Sequence, residues 1–361
     1  MLIPPATEAP STTYRGVQAL RFLSALLVVA LHACYWVNRD AGSGAQAPSS
    51  ALLGDVCVSV FFLISGFVVV LVIDSGREPD WQTFALRRAI RILPLAWLMT
   101  TTKIIAAVVV PGAMFDGALT PVRVLTSFLL VPSRGQHGIA PMLWGVEWTL
   151  VFEAAFYFLV TAAMAVRIDP VRSVSAVLVL FAILAAWRPD EGSAIWFYAN
   201  PLVLFLVAGM SIARAVRSGQ VLAPIATCSA LTALIIAIGV VRSGPAAVSA
   251  VVFALLTITF ALVVSVERRY GSRLPDWVVM CGDSAFALYL THPLVAQVLP
   301  RALGWFGVRQ VPWLPVVVVS VVASVGLGIA VHRCIDRPVG RFLRRRLIRA
   351  YAARDHRSAD A

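Results

Sequence analysis

The chain has 361 residues, of which 60% are apolar and 13% charged, and its mean hydropathy is +0.85. A soluble protein of this length would carry about twice the charge, so the composition excludes one or two soluble domains and indicates a polytopic membrane protein. The net charge of +12 comes from 29 arginines and Lys103 against 18 acidic residues. In a membrane chain such a bias marks the cytoplasmic loops rather than a nucleic-acid partner. Cys34, Cys57, Cys228, Cys281 and Cys334 are scattered without a CxxC pair, which points neither to a disulfide framework nor to a metal site.

Apolar stretches long enough to span a bilayer run in order over Leu20–Trp36, Leu52–Ile73, Ile92–Val110, Met142–Val166 and Val174–Trp187. Five more follow at Ile195–Ile212, Val221–Val241, Ala246–Val266, Ala285–Leu303 and Val311–Val331. The expected fold is therefore an all-α bundle of about ten transmembrane helices. Val122–Val131, enclosed by Pro121 and Pro132, is too short to cross and reads as a re-entrant or interfacial segment. The first stretch lacks a basic leader and is expected to remain as a span.

With ten spans and an internal N-terminus, twenty-two arginines fall inside and seven outside. Both termini are thus expected in the cytoplasm. Residues 1–14 read as a cytoplasmic tail, 15–339 as the transmembrane domain and 340–361 as a basic cytoplasmic tail, whose Arg344, Arg345 and Arg346 could lie along anionic lipid headgroups.

Ionisable residues inside such spans are costly and point to function. Arg21 and His32 are eleven residues apart, which returns them to one helical stripe about 16 Å apart along the axis. Arg88 and Arg91 share a face and can present two forks to phosphate groups. Pro94 should kink that helix or mark its first turn. Glu153 lies near the middle of its span, whereas Glu147, six residues earlier, reads as a rim residue. Tyr289 and His292 share a face, and Pro293 frees a backbone carbonyl beside them.

In this order the segments resemble the membrane acyltransferase-3 family, the integral-membrane O-acyltransferases that modify bacterial polysaccharides and antibiotics. The resemblance rests on Arg15-Gly16 with Leu20-Arg21 and His32, on Phe61-Phe62-Leu63-Ile64-Ser65-Gly66-Phe67, and on Arg88-x-x-Arg91-Ile92-x-Pro94. It continues in Trp148-Thr149-Leu150-x-x-Glu153-x-x-Phe156-Tyr157 and in Gly282-Asp283-Ser284 leading to Tyr289-Leu290-x-His292. Where the family often has Gly and Asp before the Phe pair, this chain has Cys57 and Ser59, and the family's Glu-x-Pro after the last span is Asp336-Arg337-Pro338.

The resemblance implies an acyl-CoA-dependent O-acyltransferase of the bacterial plasma (inner) membrane, with acetyl-CoA or another acyl-CoA as donor and no permanently bound cofactor or metal. The acceptor would be a hydroxyl of a cell-surface or exported glycan, with a macrolide or other small molecule as the alternative. Arg21, Arg88 and Arg91 would hold the donor's phosphates. His32 would serve as base near neutral pH, oriented or charge-compensated by Glu153. Ser65, Tyr157, Tyr289, His292 and Asp336 would line the pocket or its acceptor side. Membrane lipids are the other expected partners, nucleic acid is not one, and the oligomeric state is left open. A transporter or flippase for a lipid-linked sugar is the competing reading, though neither paired halves nor matching broken helices are visible.

Overall fold

The structure is a computed structural model and describes residues 14–40, 47–48, 51–78, 80–109, 119–135, 138–140, 142–189, 192–219, 222–242, 245–306 and 312–348. The tail expected over 1–14 and the far part of 340–361 lie outside these residues except for Tyr14 and residues 340–348. Much of the linker between the first two spans and Val110, Val221 and Val311 also lie outside them.

Fourteen α-helices are described: α1 (Arg15–Asp40), α2 (Ala51–Asp74), α3 (Trp81–Val109), α4 (Pro121–Leu129), α5 (Trp148–Ala165), α6 (Pro170–Leu184) and α7 (Leu204–Ser218). They continue as α8 (Leu222–Val241), α9 (Ala246–Tyr270), α10 (Asp276–Thr291), α11 (Pro293–Ala296), α12 (Val298–Trp305), α13 (Trp313–Val331) and α14 (Arg337–Leu343). A short hairpin, β1 (Ser133–Gly135) with β2 (Gly138–Ala140), precedes α5. Among the described residues, nine helices are long and apolar enough to cross a membrane, and the bent pair formed by α10 with α11 and α12 makes a tenth span. The polytopic bundle expected from hydropathy is present, and it is a multi-pass membrane protein.

The differences from the sequence reading have local causes. The sixth stretch does not begin as a helix at Ile195: short 3-10 turns run over Ala194–Tyr198 and Pro201–Val203, with the Asn200 side chain accepting from Leu202 N–H, and α7 starts afterwards. Pro94 sits inside the unbroken α3 rather than in its first turn. The segment expected at Val122–Val131 forms α4, whose nine residues are about 13 Å long and cannot cross. Thr120 caps its start, Leu130 ends it in the left-handed region with φ 52°, and Val122, Leu125 and Leu129 point outward.

Packing is closest between α2 and α7. A Cβ added to Gly66 would lie 2.1 Å from the Leu206 carbonyl oxygen, and one added to Gly209 would lie 2.1 Å from that of Leu63. Two glycines thus let the helix backbones touch, which replaces the missing hydrophobic drive of a lipid surround with dense van der Waals contact. Phe62, Leu63, Phe67, Leu204, Leu206 and Met210 surround this crossing and are buried. Helix α1 lies against α10 and α13, where Gly282 meets Gln18 and Gly328 meets Leu288. Its first turn is held by the Glu267 carboxylate at the end of α9, which accepts the N–H groups of Arg15 and Gly16 where the helix dipole is positive. Helices α8 and α9 form an outer layer, with Val251, Leu255, Ile258 and Leu262 exposed for lipid.

Candidate functional site

The bend between α10 and α11 builds the centre of the site. Pro293 has no N–H to give the carbonyl four residues earlier, and the chain turns by 47° at His292. The Tyr289 oxygen instead faces His292 Nδ1 at 2.7 Å, and the neighbouring Leu290 oxygen accepts from the Trp144 indole at 2.8 Å. Both carbonyls of the break are therefore satisfied by side chains, as buried backbone groups in lipid must be.

This assignment fixes a chain of protons. A carbonyl can only accept, so neutral His292 carries its proton on Nδ1 and leaves Nε2 as an acceptor. His292 Nε2 lies 2.7 Å from His32 Nδ1, and the two rings stack with centroids 4.9 Å apart and planes at 11°. His32 must then donate from Nδ1, and its lone pair sits on Nε2. The pair comes from α1 and from the end of α10, and His292 is completely buried. The group that touches His32 is thus His292; Glu153, expected to orient it, is placed elsewhere.

At the basic end of the bundle a cavity of about 1040 Å³ opens between α1, α3, α10 and the C-terminal helix. Arg21, Arg88, Arg91 and Asp336 all face it. Arg88 is already engaged: it donates to Glu78 Oε1 at 2.9 Å and lies over the Phe84 and Tyr157 rings at 5.4 and 5.7 Å. Glu78 is buried, so this pair is a fixed part of the wall. Among the described residues Arg21 and Arg91 have no carboxylate within the 4.0 Å of an ion pair, although each is close enough to feel the other's charge. Two neighbouring guanidinium groups facing a cavity are a ready site for an anion.

Arg21, Arg91 and Phe286 also border a second, narrow space of about 50 Å³ that leads deeper, where Ser65, Glu153 and Tyr289 line the walls. The Tyr157 hydroxyl donates to Glu153 Oε1 at 2.6 Å. At the inner end the Tyr289 hydroxyl donates to the Val146 carbonyl and accepts from the Thr149 hydroxyl, both at 3.0 Å. Val146 borders a third space of about 180 Å³ on the far side, which contains His32 with Trp36, Lys103, Trp144, Trp148 and Gln297. The three spaces follow one another along α1, from Arg21 to His32, with the Tyr289 bonds as a partition.

The structure thus gathers Arg21, Arg91, Ser65, Glu153 and Tyr289 around the narrow space, with Tyr157 bound to Glu153, and His32 with His292 beyond it. Asp336 lies in the outer basic cavity, where its carboxylate meets His332 Nδ1 at 2.8 Å. Asp336 is therefore on the basic side of the partition that Tyr289 forms. Glu147 is not a rim residue: it is completely buried, and Thr100 donates to it at 3.0 and 3.1 Å. Sequence reasoning also missed Glu78, Trp144 and Thr149. Trp148-Thr149 stood in a quoted motif, but Glu78 precedes its helix in an irregular segment with no periodic signal.

A stacked histidine pair thus lies inside the bundle, between a basic cavity toward one end and an aromatic one toward the other. The chain belongs to the acyltransferase-3 family: the profile described as "Acyltransferase domain" matches residues 14–333, nearly its whole length. It is therefore an acyltransferase. It is 29% identical over 316 residues to the exopolysaccharide production protein ExoZ of Rhizobium meliloti (strain 1021), covering 82% of this chain and 93% of the relative. Acyltransferase MdmB of Streptomyces mycarofaciens is 28% identical over 95% of this chain and 94% of its own. Nodulation protein 10 of Rhizobium leguminosarum bv. viciae is 26% identical over 55% and 57% of the two chains. No solved structure matches at a significant level.

Proposed function

We propose that the protein is an acyl-CoA-dependent O-acyltransferase that moves an acetyl group from cytosolic acetyl-CoA to a hydroxyl of a cell-surface or exported glycan. The observation that carries this reading is the His32–His292 pair, seated between a basic cavity and an aromatic one. Coenzyme A is a long donor with its phosphates at one end and its thioester at the other. Arg21 and Arg91 meet the phosphates, and the narrow space past Ser65 and Tyr289 takes the pantetheine arm. The distance from Arg21 to His32, about 16 Å of helix, suits that arm. The bowl faces the cytoplasm of the plasma membrane, in keeping with the arginine bias, and both termini share that side.

The acceptor enters the space lined by Trp36, Trp144 and Trp148, whose flat apolar faces suit sugar rings while Gln297 and Lys103 offer polar contacts. There His32 Nε2 takes the proton of the attacking hydroxyl as the oxygen bonds to the thioester carbon. His292 accepts from Nδ1 and stabilises the imidazolium as it forms, as the third member of a triad does. The C–S bond then breaks, and the proton returns from His32 to the departing thiolate, so the products are the ester and free CoA. The Tyr289 partition has to part for the thioester to arrive.

The test is transfer from radiolabelled acetyl-CoA by the purified protein in nanodiscs, with an oligosaccharide acceptor. Wild type forms labelled ester, whereas His32→Ala binds CoA and transfers at least 10²-fold more slowly. Full turnover in His32→Ala would remove the histidine from the chemistry. Vectorial movement of an intact lipid-linked sugar without acetylation would favour the transporter instead.

A further inference from the structure

The basic cavity holds more cationic groups than a diphosphate needs, and they are unevenly neutralised. On one side Arg15 pairs with Asp276 at 2.7 Å, while Arg87 and Arg88 share Glu78 at 3.4 and 2.9 Å. On the other side Arg333, Arg337, Arg344 and Arg345 come from the helix that continues α13. Among the described residues none of these four has a carboxylate within 4.0 Å, and Asp336 is engaged by His332.

The winding of that helix bears on which of its residues border the cavity. In an α-helix, positions four apart drift by about 40° at each step, so residues 332, 336, 340 and 344 would spread over about 120°. Here His332–Asp336 and Arg344–Ile348 are π-helical turns, with bonds to the fifth residue. The wider winding of the first turn offsets the drift between 332 and 336, while the second begins only at Arg344, where the series ends. His332, Asp336, Gly340 and Arg344 all border the cavity, and so do Arg333, Arg337 and Arg345. Such turns inside α-helices are frequent at functional sites.

The covalent order of the donor assigns the two arginine groups. The pantetheine arm springs from the 5′-diphosphate, so the diphosphate must lie at the mouth of the narrow space, beside Arg21 and Arg91. The adenosine and its 3′-phosphate must then lie farther out in the cavity. Resting on the reading of the donor as coenzyme A, we propose that Arg337 and Arg345, with Arg333 and Arg344, form a 3′-phosphate site that makes the protein select coenzyme A over donors lacking that phosphate. The basic C-terminal segment serves the donor here, in place of the lipid headgroups that its composition suggested. Arg346, outside the cavity, lies over the Phe342 ring instead.

The experiment compares acetyl-CoA with acetyl-3′-dephospho-CoA in wild type and in Arg337→Gln/Arg345→Gln. Both arginines are exposed and lack ion pairs, so the variant is expected to fold. Wild type should favour acetyl-CoA by about 10- to 150-fold in kcat/KM, the range of one charge-assisted contact. The variant should lose activity toward acetyl-CoA while keeping its rate with the dephospho donor, so that the preference collapses toward unity. Arg337→Lys/Arg345→Lys should keep part of the preference, since the charges remain. Equal use of both donors by wild type would overturn the inference and leave the acyl-CoA reading standing. A variant that slows both donors equally would also overturn it, as a purely structural effect. Transfer from neither donor would sink the acyl-CoA reading itself, and the 3′-phosphate site with it.

Discussion

Replacing His292 tests the proton chain directly. In the resting pair His32 Nδ1 donates to a neutral acceptor, a bond worth about 0.5–1.5 kcal/mol. When His32 holds the acceptor's proton, the same bond joins an imidazolium to His292 and rises to about 1.5–3 kcal/mol. The difference, about 1–2 kcal/mol, stabilises the transition state alone, and it corresponds to a factor of about 5–30 in rate. His292→Ala also frees the His32 tautomer, because Nδ1 loses its acceptor, so the total fall in kcat should reach about 10²-fold. The KM for acetyl-CoA should hardly change, since the phosphate contacts lie at the far end of α1. His292→Gln, whose side-chain oxygen can accept in place of Nε2, should recover part of the rate. The assay is steady-state transfer across pH with saturating donor, with thermal stability in detergent as the folding control. If His292→Ala is folded and retains kcat within about threefold, the pair is a packing contact and the tautomer argument fails.

Four further outcomes are expected. Arg91→Ala should raise the KM for acetyl-CoA by about 10- to 150-fold, whereas Arg88→Ala should chiefly lower the yield of folded protein, because it leaves the buried Glu78 only the longer contact to Arg87; binding assays and size-exclusion profiles separate the two. Gly209→Val should abolish monodisperse protein, since even its Cβ meets the Leu63 carbonyl, while Gly54→Ala, with nothing within 4 Å of the added atom, should behave as wild type. Burial disfavours the Asp169 anion, but Arg214 and the N–H groups of Arg172 and Val171 outweigh it and hold the carboxyl below its ordinary value. Its stabilisation is therefore present above about pH 4 and fades as pH falls through the lowered value. Asp169→Ala should accordingly cost about 0.5–2 kcal/mol at neutral pH, as a lost helix cap does, and the gap in melting temperature from wild type should close in acid. Reporter fusions after Arg346 and in the linker between α1 and α2 should label opposite sides of the membrane, and the same side would refute the ten-span topology.

The ten apolar stretches were legible because each span must be apolar along its whole length, whatever its neighbours. What hydropathy does not carry is helix start sites set by single residues, such as Asn200 and Pro201 ahead of α7. The site divides in the same way. Arg21 and His32 are related by helical geometry within one span, so their common stripe could be read directly. The contact between His32 and His292 joins residues 260 positions apart, and only the packing of α1 on α10 creates it. The freed carbonyl at Pro293 was visible, but its partner was not. Arg88 and Arg91 looked equivalent by spacing; Glu78, from outside the helix, neutralises one and leaves the other facing the cavity. Glu147 seemed peripheral from its distance to the end of the apolar run, yet the descending 3-10 turn carries it inside to Thr100.

The partition at Tyr289 has a consequence for the cell as well as for the reaction. Cavities lie on both sides of it, so little packed protein separates the two ends of the bundle here. Were these cavities hydrated, the membrane voltage would fall mostly across the partition, and a file of water through it would conduct protons. Two hydrogen bonds at 3.0 Å, to Val146 and from Thr149, therefore act as an electrical seal. The Phe61 ring, 5.6 Å from that of Tyr289, backs the seal with apolar bulk. On the proposed route the pantetheine arm enters where this seal parts, and the arm itself would then fill the gap it opens.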